Sequence, residues 1–118
     1  MSNKPDCIFC KIAAKEIPAE IVYEDDSIIA FEDANPQVPV HTLIIPKDHY
    51  DSIADNVPSE LLAKIFSNVA NVAKIKGVRE SGFRTVVNTG DEGGQTVHHL
   101  HVHILGGAAL PIHMGPAD

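Results

Sequence analysis

The longest regular pattern of apolar residues in the chain is a helical stripe over residues 58–76. Its apolar positions, spaced to share one side of a helix, are Leu62, Ile65, Val69, Val72 and Ala73. Such spacing buries one face of an α-helix and leaves the other in water. Pro58 suits the first helical turn and Gly77 suits the C-terminal cap, so the pattern predicts one long amphipathic helix.

The remaining apolar runs are short and are separated by turn residues. Residues 7–16 have helical spacing and are followed by Pro18, which predicts a short helix. Runs rich in β-branched and other apolar residues predict five strands, over residues 21–23, 27–31, 41–45, 83–88 and 97–105. Since short turns join neighbouring strands, we expect an α+β fold in which an antiparallel sheet carries one long and one short helix.

Length, composition and charge limit the class of protein. The 118 residues suffice for one domain, with its core at about residues 7–107, and 44% of them are hydrophobic. The net charge of −7 argues against a nucleic acid polymer or an anionic membrane as a partner. No apolar run approaches the roughly 18 residues of a membrane span, and residues 1–6 do not resemble a signal peptide. We expect a soluble, cytoplasmic protein.

Histidines are concentrated near the C-terminus of the sequence. His99, His101 and His103 alternate with aliphatic residues, so in a strand their imidazoles would share one face and His98 would point away. The Gly-rich segment 89–96 precedes them, and backbone N–H groups in such a turn can cradle a phosphate. The pattern indicates either metal binding or catalysis, the two chemistries for which imidazole is most used.

Cys7 and Cys10 form a C-x-x-C motif at the start of the first predicted helix. A thioredoxin-like redox motif would sit in a βαβ unit, which the sequence does not predict here. Half of a zinc site would need two further ligands, and the chain has no other cysteines, which leaves histidine as the soft ligand. Two unligated thiols are the third possibility.

Residues 99–105 resemble the alternating histidine signature of the histidine-triad (HIT) superfamily, in which three histidines alternate with aliphatic residues. Segments 15–19, 44–49 and 87–96 resemble the corresponding segments of its Hint branch, in the same order. The resemblance extends over about residues 7–107. It implies the HIT fold, with two sheets joined in a homodimer through the long helix and a strand.

The resemblance also implies an activity. Members of the Hint branch cleave purine nucleoside 5′-phosphoramidates, such as AMP joined to an amine, through a covalent nucleotidyl-histidine. The middle histidine of the signature corresponds to His101, and a neutral imidazole is a good nucleophile near pH 7. His103 would donate to the phosphate oxygens, and His41 would donate to the leaving group with assistance from His103.

Further nucleotide contacts follow from the resemblance. Asp33 corresponds to the carboxylate that accepts the ribose hydroxyls, and a carboxylate is well suited to two such donors. An apolar slot for the base corresponds to Ile8, Phe9, Ile12, Phe31 and Leu43. The phosphate positions, besides His101 and His103, correspond to Asn88, Gly94, Gln95 and Thr96.

Zinc-containing members of the superfamily pair such cysteines with two histidines. These positions correspond to His49 and His99, so the resemblance implies a structural Zn²⁺ held by Cys7, Cys10, His49 and His99. A site closed by four protein ligands has no position for substrate, so we expect no catalytic metal.

Other functions remain open from the sequence. One is hydrolysis of dinucleoside polyphosphates, as in the Fhit branch, although the Gly106–Gly107 pair favours Hint. Others are a dimeric nucleotide sensor with incidental hydrolysis and a metal-storage protein. The chain also lacks the C-terminal Trp by which well-known Hint members reach the partner's active site, and it contains no Trp at all. Leu110, Ile112 or Met114 could provide an apolar cover instead.

Overall fold

Five antiparallel strands form one sheet in the computed structural model of the protein, which describes residues 3–111. Along the chain the elements are α1 (Ile8–Ala13), β1 (Ile21–Glu24), β2 (Ile28–Glu32), β3 (Val40–Pro46), α2 (Ser59–Ser67), α3 (Val69–Ile75), β4 (Phe83–Val86) and β5 (Val102–Gly106). The strand order is β1-β2-β3-β5-β4. The expected α+β fold with an antiparallel sheet is confirmed.

Both faces of the sheet are covered, which explains why its central strands are apolar at nearly every position. Ile28 and Ala30 of β2 pack with Ile65 and Val72 of α2 and α3 on one face. The alternate residues, Ile29 and Phe31, pack with α1 on the other face. This second face, which we call the α1 face, is where the site described below lies.

The long predicted helix is present but interrupted at one residue, Asn68. The Asn68 N–H donates to the carbonyl of Ile65, three residues back, at 3.2 Å. Its side-chain amide donates to the carbonyl of Lys64 at 2.8 Å, and such local bonds by Asn compete with the regular helical pattern. The stripe still faces the core, because Ile65, Val72 and Ala73 are buried.

The last strand is shorter than the sequence predicted, since it begins at Val102 rather than at residue 97. Its pairing with β3 ends at Val102 and Ile44, although β3 continues to Pro46 and pairs there with β2. Instead, the Leu100 N–H donates to the carbonyl of Tyr50 at 2.7 Å. The backbone before β5 therefore follows the loop after β3, and this places His99 and His101 outside the regular strand.

Among residues 3–111, no helix has the length and apolar character needed to cross a membrane. Of the tail residues predicted as an apolar cover, Leu110 is partly buried. Ile112 and Met114 lie outside the described residues.

Candidate functional site

Three imidazoles lie side by side on the α1 face of the sheet. His41 on β3 and His103 on β5 have ring centroids 5.2 Å apart, and the His101 ring lies 5.0 Å from that of His103. All three side chains are almost completely buried. The aliphatic residues between the histidines, Leu100 and Val102, belong to the opposite core. The predicted separation of faces therefore holds even where the strand is irregular.

The position of the proton on His101 follows from one hydrogen bond. Its Nδ1 lies 2.7 Å from the backbone carbonyl oxygen of His99. A carbonyl only accepts, so Nδ1 carries the proton and Nε2 keeps its lone pair. Phe9 packs edge-on against the ring, with centroids 5.1 Å apart. The ring is thus held in the orientation and tautomer of a nitrogen nucleophile.

The protons of His41 and His103 are assigned in the same way. The backbone N–H of Gln37 donates to His41 Nδ1 at 3.0 Å, so the proton of a neutral His41 is on Nε2. This Nε2 lies 2.9 Å from His103 Nδ1. His103 Nδ1 therefore accepts, and a neutral His103 carries its proton on Nε2.

Burial keeps His41 and His103 neutral. Desolvation, together with the nearby His101 and His41, lowers the pKa of His103 to about 3. Burial also lowers the pKa of His41, although the carboxylates of Asp33 and Glu32 act in the opposite direction. Near pH 7, His41 and His103 therefore offer lone pairs and neutral N–H donors.

A cavity of about 680 Å³ opens beside this cluster. All six residues predicted for the base and the ribose line it, namely Ile8, Phe9, Ile12, Phe31, Asp33 and Leu43. His41 and Val97 complete the side nearest the histidines. Segments 17–20 and 34–36 also line the cavity, and neither was predicted to bind the ligand. Apolar walls with one carboxylate suit a flat aromatic group that carries hydroxyls.

The predicted phosphate residues do not line this cavity. Gln95 is buried, and its amide donates to the carbonyls of Asp51 and Val97 at 2.7 and 3.0 Å. Its Oε1 accepts from the Gly90 N–H at 2.9 Å, so Gln95 closes the Gly-rich turn from within. Gly94 has a φ of 84°, which favours glycine. The phosphate contacts of Asn88, Gly94, Gln95 and Thr96 stay predictions.

The four residues predicted as metal ligands come together at the other end of the histidine row. Ligand atoms of Cys7, Cys10, His49 and His99 all lie within 4.8 Å of one another. His99 Nδ1 lies 3.4 Å from Cys7 Sγ, and His49 Nδ1 lies 3.2 Å from Cys10 Sγ. These four groups can hold a metal ion.

Acceptors outside the cluster orient both of its histidines. His99 Nε2 donates to the carbonyl of Pro46 at 2.9 Å, and His49 Nε2 donates to Asp51 Oδ1 at 2.7 Å. In both rings the Nδ1 lone pair therefore points at the thiols, as metal coordination requires. Sequence reasoning missed Asp51, although a carboxylate two residues after a candidate ligand is a signal that could have found it.

A second group of potential ligands is formed by Asp33, His41 and His103, whose ligand atoms also lie within 4.8 Å of one another. Here the lone pair of His103 Nδ1 accepts the His41 N–H. Because this hydrogen bond uses the electron pair that a metal would need, the geometry of the group is that of a hydrogen-bonded relay.

Burial of neutral His103 makes stability sensitive to acid. Its pKa of about 3 in the folded protein lies below the ordinary value of 6.5, so the unfolded chain binds more protons between these values. The contribution of His103 to the free energy of unfolding is complete above pH 6.5 and falls as the pH is lowered toward 3. Urea unfolding at stepped pH measures this, and His103→Gln should lose stability less steeply. Equal slopes would contradict the assignment.

The chain is similar in sequence to a known domain family and to named proteins. The HIT domain family matches residues 14–110. Protein HitA of Neisseria gonorrhoeae is 53% identical over 103 residues, which are 86% of this chain and 95% of that protein. The purine nucleoside phosphoramidase of Escherichia coli K12 is 43% identical over 108 residues, 89% of this chain and 90% of that one.

Solved structures agree with the sequence comparison. A histidine triad protein from Clostridium difficile has a TM-score of 0.88 and 48% identity, covering 96% of this chain and 99% of that one. A HIT family hydrolase from Legionella pneumophila has a TM-score of 0.88 and 47% identity, covering 93% of this chain and 100% of that one. The chain therefore belongs to the HIT domain family.

Proposed function

We propose that the protein hydrolyses purine nucleoside 5′-phosphoramidates through a nucleotidyl group carried on His101. One observation carries the proposal: the bond from His101 Nδ1 to the His99 carbonyl, which leaves the Nε2 lone pair for attack. The cavity supports it, because its residues Phe9 and His41 contact the rings of His101 and His103, respectively.

The substrate class is supported by the cavity and by one relative. The apolar walls formed by Phe9, Ile12 and Phe31 suit a purine ring, and Asp33 lies on the same cavity as an acceptor for ribose hydroxyls. The relative from Escherichia coli, 43% identical, is named purine nucleoside phosphoramidase. A nucleoside monophosphate joined to an amine is the simplest ligand that meets these features.

The reaction proceeds in two displacements. His101 Nε2 attacks the phosphorus and the P–N bond breaks, which leaves a positive charge on the nucleotidyl-imidazole of His101. We assign the proton that the departing amine takes to His103 Nε2–H. The negative charge left on the His103 ring is stabilised by the hydrogen bond from His41 and by the positive His101 ring beside it. Water then attacks the phosphorus and gives one proton to His103 Nε2, while the bond from phosphorus to His101 Nε2 breaks and the nucleoside monophosphate leaves. Neutral N–H donors at His103 and at the backbone stabilise the charge on the phosphate oxygens.

The role proposed for His41 follows from its hydrogen bonds. One of its ring nitrogens accepts from Gln37 and the other lies against His103. We therefore assign His41 to holding the tautomer of His103, so that its effect on the leaving group passes through His103.

We also propose that Cys7, Cys10, His49 and His99 hold a structural Zn²⁺. Two thiols and two imidazole lone pairs, each imidazole oriented by an outer acceptor, form the soft, closed donor set that zinc prefers. The ion would tie the start of α1 to the loop after β3 and to the segment before β5. Two cysteines kept as metal ligands fit a reducing location, and the cytoplasm is proposed on that ground.

A homodimer is proposed as the working form. Within residues 3–111, β4 pairs with β5 alone and is thus an edge strand. Phe66 and Ile75, on the outer side of α2 and α3, are 40% and 51% exposed. An exposed apolar helix face and an open sheet edge each suit association with a second copy. Sedimentation velocity should give twice the chain mass of 12.7 kDa, and Phe66→Glu should shift it toward the monomer; an unshifted dimer would contradict this interface.

Replacement of the proposed nucleophile tests the chemistry. His101→Ala should reduce turnover of an AMP phosphoramidate by about three orders of magnitude or more, while the affinity for AMP changes only a few-fold. Mass spectrometry of wild-type protein quenched during turnover should show one added nucleotidyl group, absent from the variant. The control is His98→Ala, which removes an exposed neighbour. Turnover by His101→Ala at the wild-type rate would exclude this mechanism.

Removal of the metal tests the zinc proposal. Incubation of purified protein with a strong chelator should lower the melting temperature by more than about 10 °C, because metal binding at such sites contributes directly to folding. Elemental analysis should give one zinc per chain, lost in Cys10→Ser. An unchanged melting temperature in chelator, with no metal detected in the untreated protein, would rule out the structural ion.

A further inference from the structure

Asp33 faces the cavity and the histidines at the same time. Its side chain is only 9% exposed and lines the cavity. Oδ1 accepts the Asn35 N–H at 2.7 Å, and Oδ2 lies 3.3 Å from His41 Nε2. The same carboxylate can therefore meet a ligand on one side and His41 on the other.

The position of Asp33 is well supported by its surroundings. Its N–H donates to the carbonyl of His41 at 2.9 Å, which continues the pairing of β2 with β3. The preceding residue, Glu32, accepts from Thr42 Oγ1 at 3.0 Å and pairs with Lys76 at the end of α3. These contacts fix the position of the carboxylate at the end of β2. Asp33 therefore acts on His41 by hydrogen bonding.

Two acceptors compete for one proton at His41. Its Nδ1 accepts from Gln37, so the ring has a single N–H, on Nε2. His41 Nε2 lies 2.9 Å from His103 Nδ1 and 3.3 Å from Asp33 Oδ2. An ionised carboxylate is the stronger acceptor of the two, and its pull on the proton weakens when other donors satisfy it.

We propose that Asp33 couples recognition of the sugar to the catalytic pair. When the ribose hydroxyls donate to Asp33, the His41 N–H is committed to His103 Nδ1, and His103 is held with its own proton on Nε2. This inference rests on the proposed function and deepens it: vicinal sugar hydroxyls on the substrate strengthen the hydrogen bond that sets the tautomer of the residue that serves the leaving group. Asp33 acts as a positioning residue through His41.

The coupling has a physical consequence for the rate. Without sugar hydroxyls the Asp33 carboxylate shares the His41 N–H with His103 Nδ1, which weakens the hydrogen bond that favours a proton on His103 Nε2. A larger fraction of neutral His103 then carries its proton on Nδ1, which faces His41. From there the proton cannot be given to the substrate at Nε2. The sugar therefore contributes to kcat as well as to KM, although it does not react.

The test compares adenosine 5′-phosphoramidate with its 2′,3′-dideoxy analogue. In the wild type we expect kcat for the dideoxy substrate to be lower by about tenfold, within the usual range of coupling between sites. Asp33→Asn keeps the shape but weakens the competing acceptor. It should raise KM for the ribose substrate and bring the two kcat values together, near the wild-type value for ribose. Asp26→Asn, the same change at an exposed turn position, should leave the wild-type pattern unaltered.

Two outcomes would overturn the coupling. If the dideoxy substrate keeps the full wild-type kcat, Asp33 only binds the sugar. If Asp33→Asn lowers kcat equally for both substrates, the carboxylate is a fixed support of His41.

An independent readout uses unmodified protein. The ¹⁵N spectrum of His103 in the wild type should show protonated Nε2 with bound AMP and a shift toward protonated Nδ1 with bound 2′,3′-dideoxy-AMP. Identical spectra would overturn the coupling. This readout needs no turnover, so failure of the proposed phosphoramidase activity would be seen separately, as absence of product from the ribose substrate.

Discussion

The hydrogen bond between His101 Nδ1 and the carbonyl oxygen of His99 is the contact on which the rest of the site depends. It sets the tautomer of His101, and it does so through a residue whose ring belongs to the cysteine–histidine cluster. The carbonyl of His99 thus orients His101, and the imidazole of His99 belongs to the cysteine–histidine cluster. The orientation of His101 and the geometry of the cluster cannot change independently.

The cost of this arrangement is the burial of several polar rings. Imidazoles without water lose hydration free energy unless partners replace it, and the structure supplies partners from the backbone at Gln37, Pro46 and His99. Burial beside the apolar core on the α1 face lowers the pKa values of His41, His99 and His103 and keeps these three rings neutral. Apolar packing and hydrogen bonding to the backbone therefore act together to hold His41 and His99 as oriented, uncharged imidazoles at neutral pH.

Much of this molecule could be predicted from its sequence. The period of the apolar residues identified the strands and the helical face, and the alternation of His101 and His103 with aliphatic residues placed them opposite the helices α2 and α3. The interruption at Asn68 and the late start of β5 were missed. Both depend on hydrogen bonds that compete locally with regular structure, and periodicity does not contain that information.

The sequence by itself determined which residue types are available and which face of the sheet they share, because side-chain alternation and helical spacing are local properties of the backbone. Only the tertiary structure decided which nitrogen of each histidine carries the proton. That depends on acceptors and donors remote in sequence, such as Pro46 for His99 and the pair formed by His41 with His103. It also decided where the Gln95 amide donates, since one of its acceptors, the carbonyl of Asp51, is 44 positions away. Chain folding brings these groups within hydrogen-bond distance, and no local pattern records it.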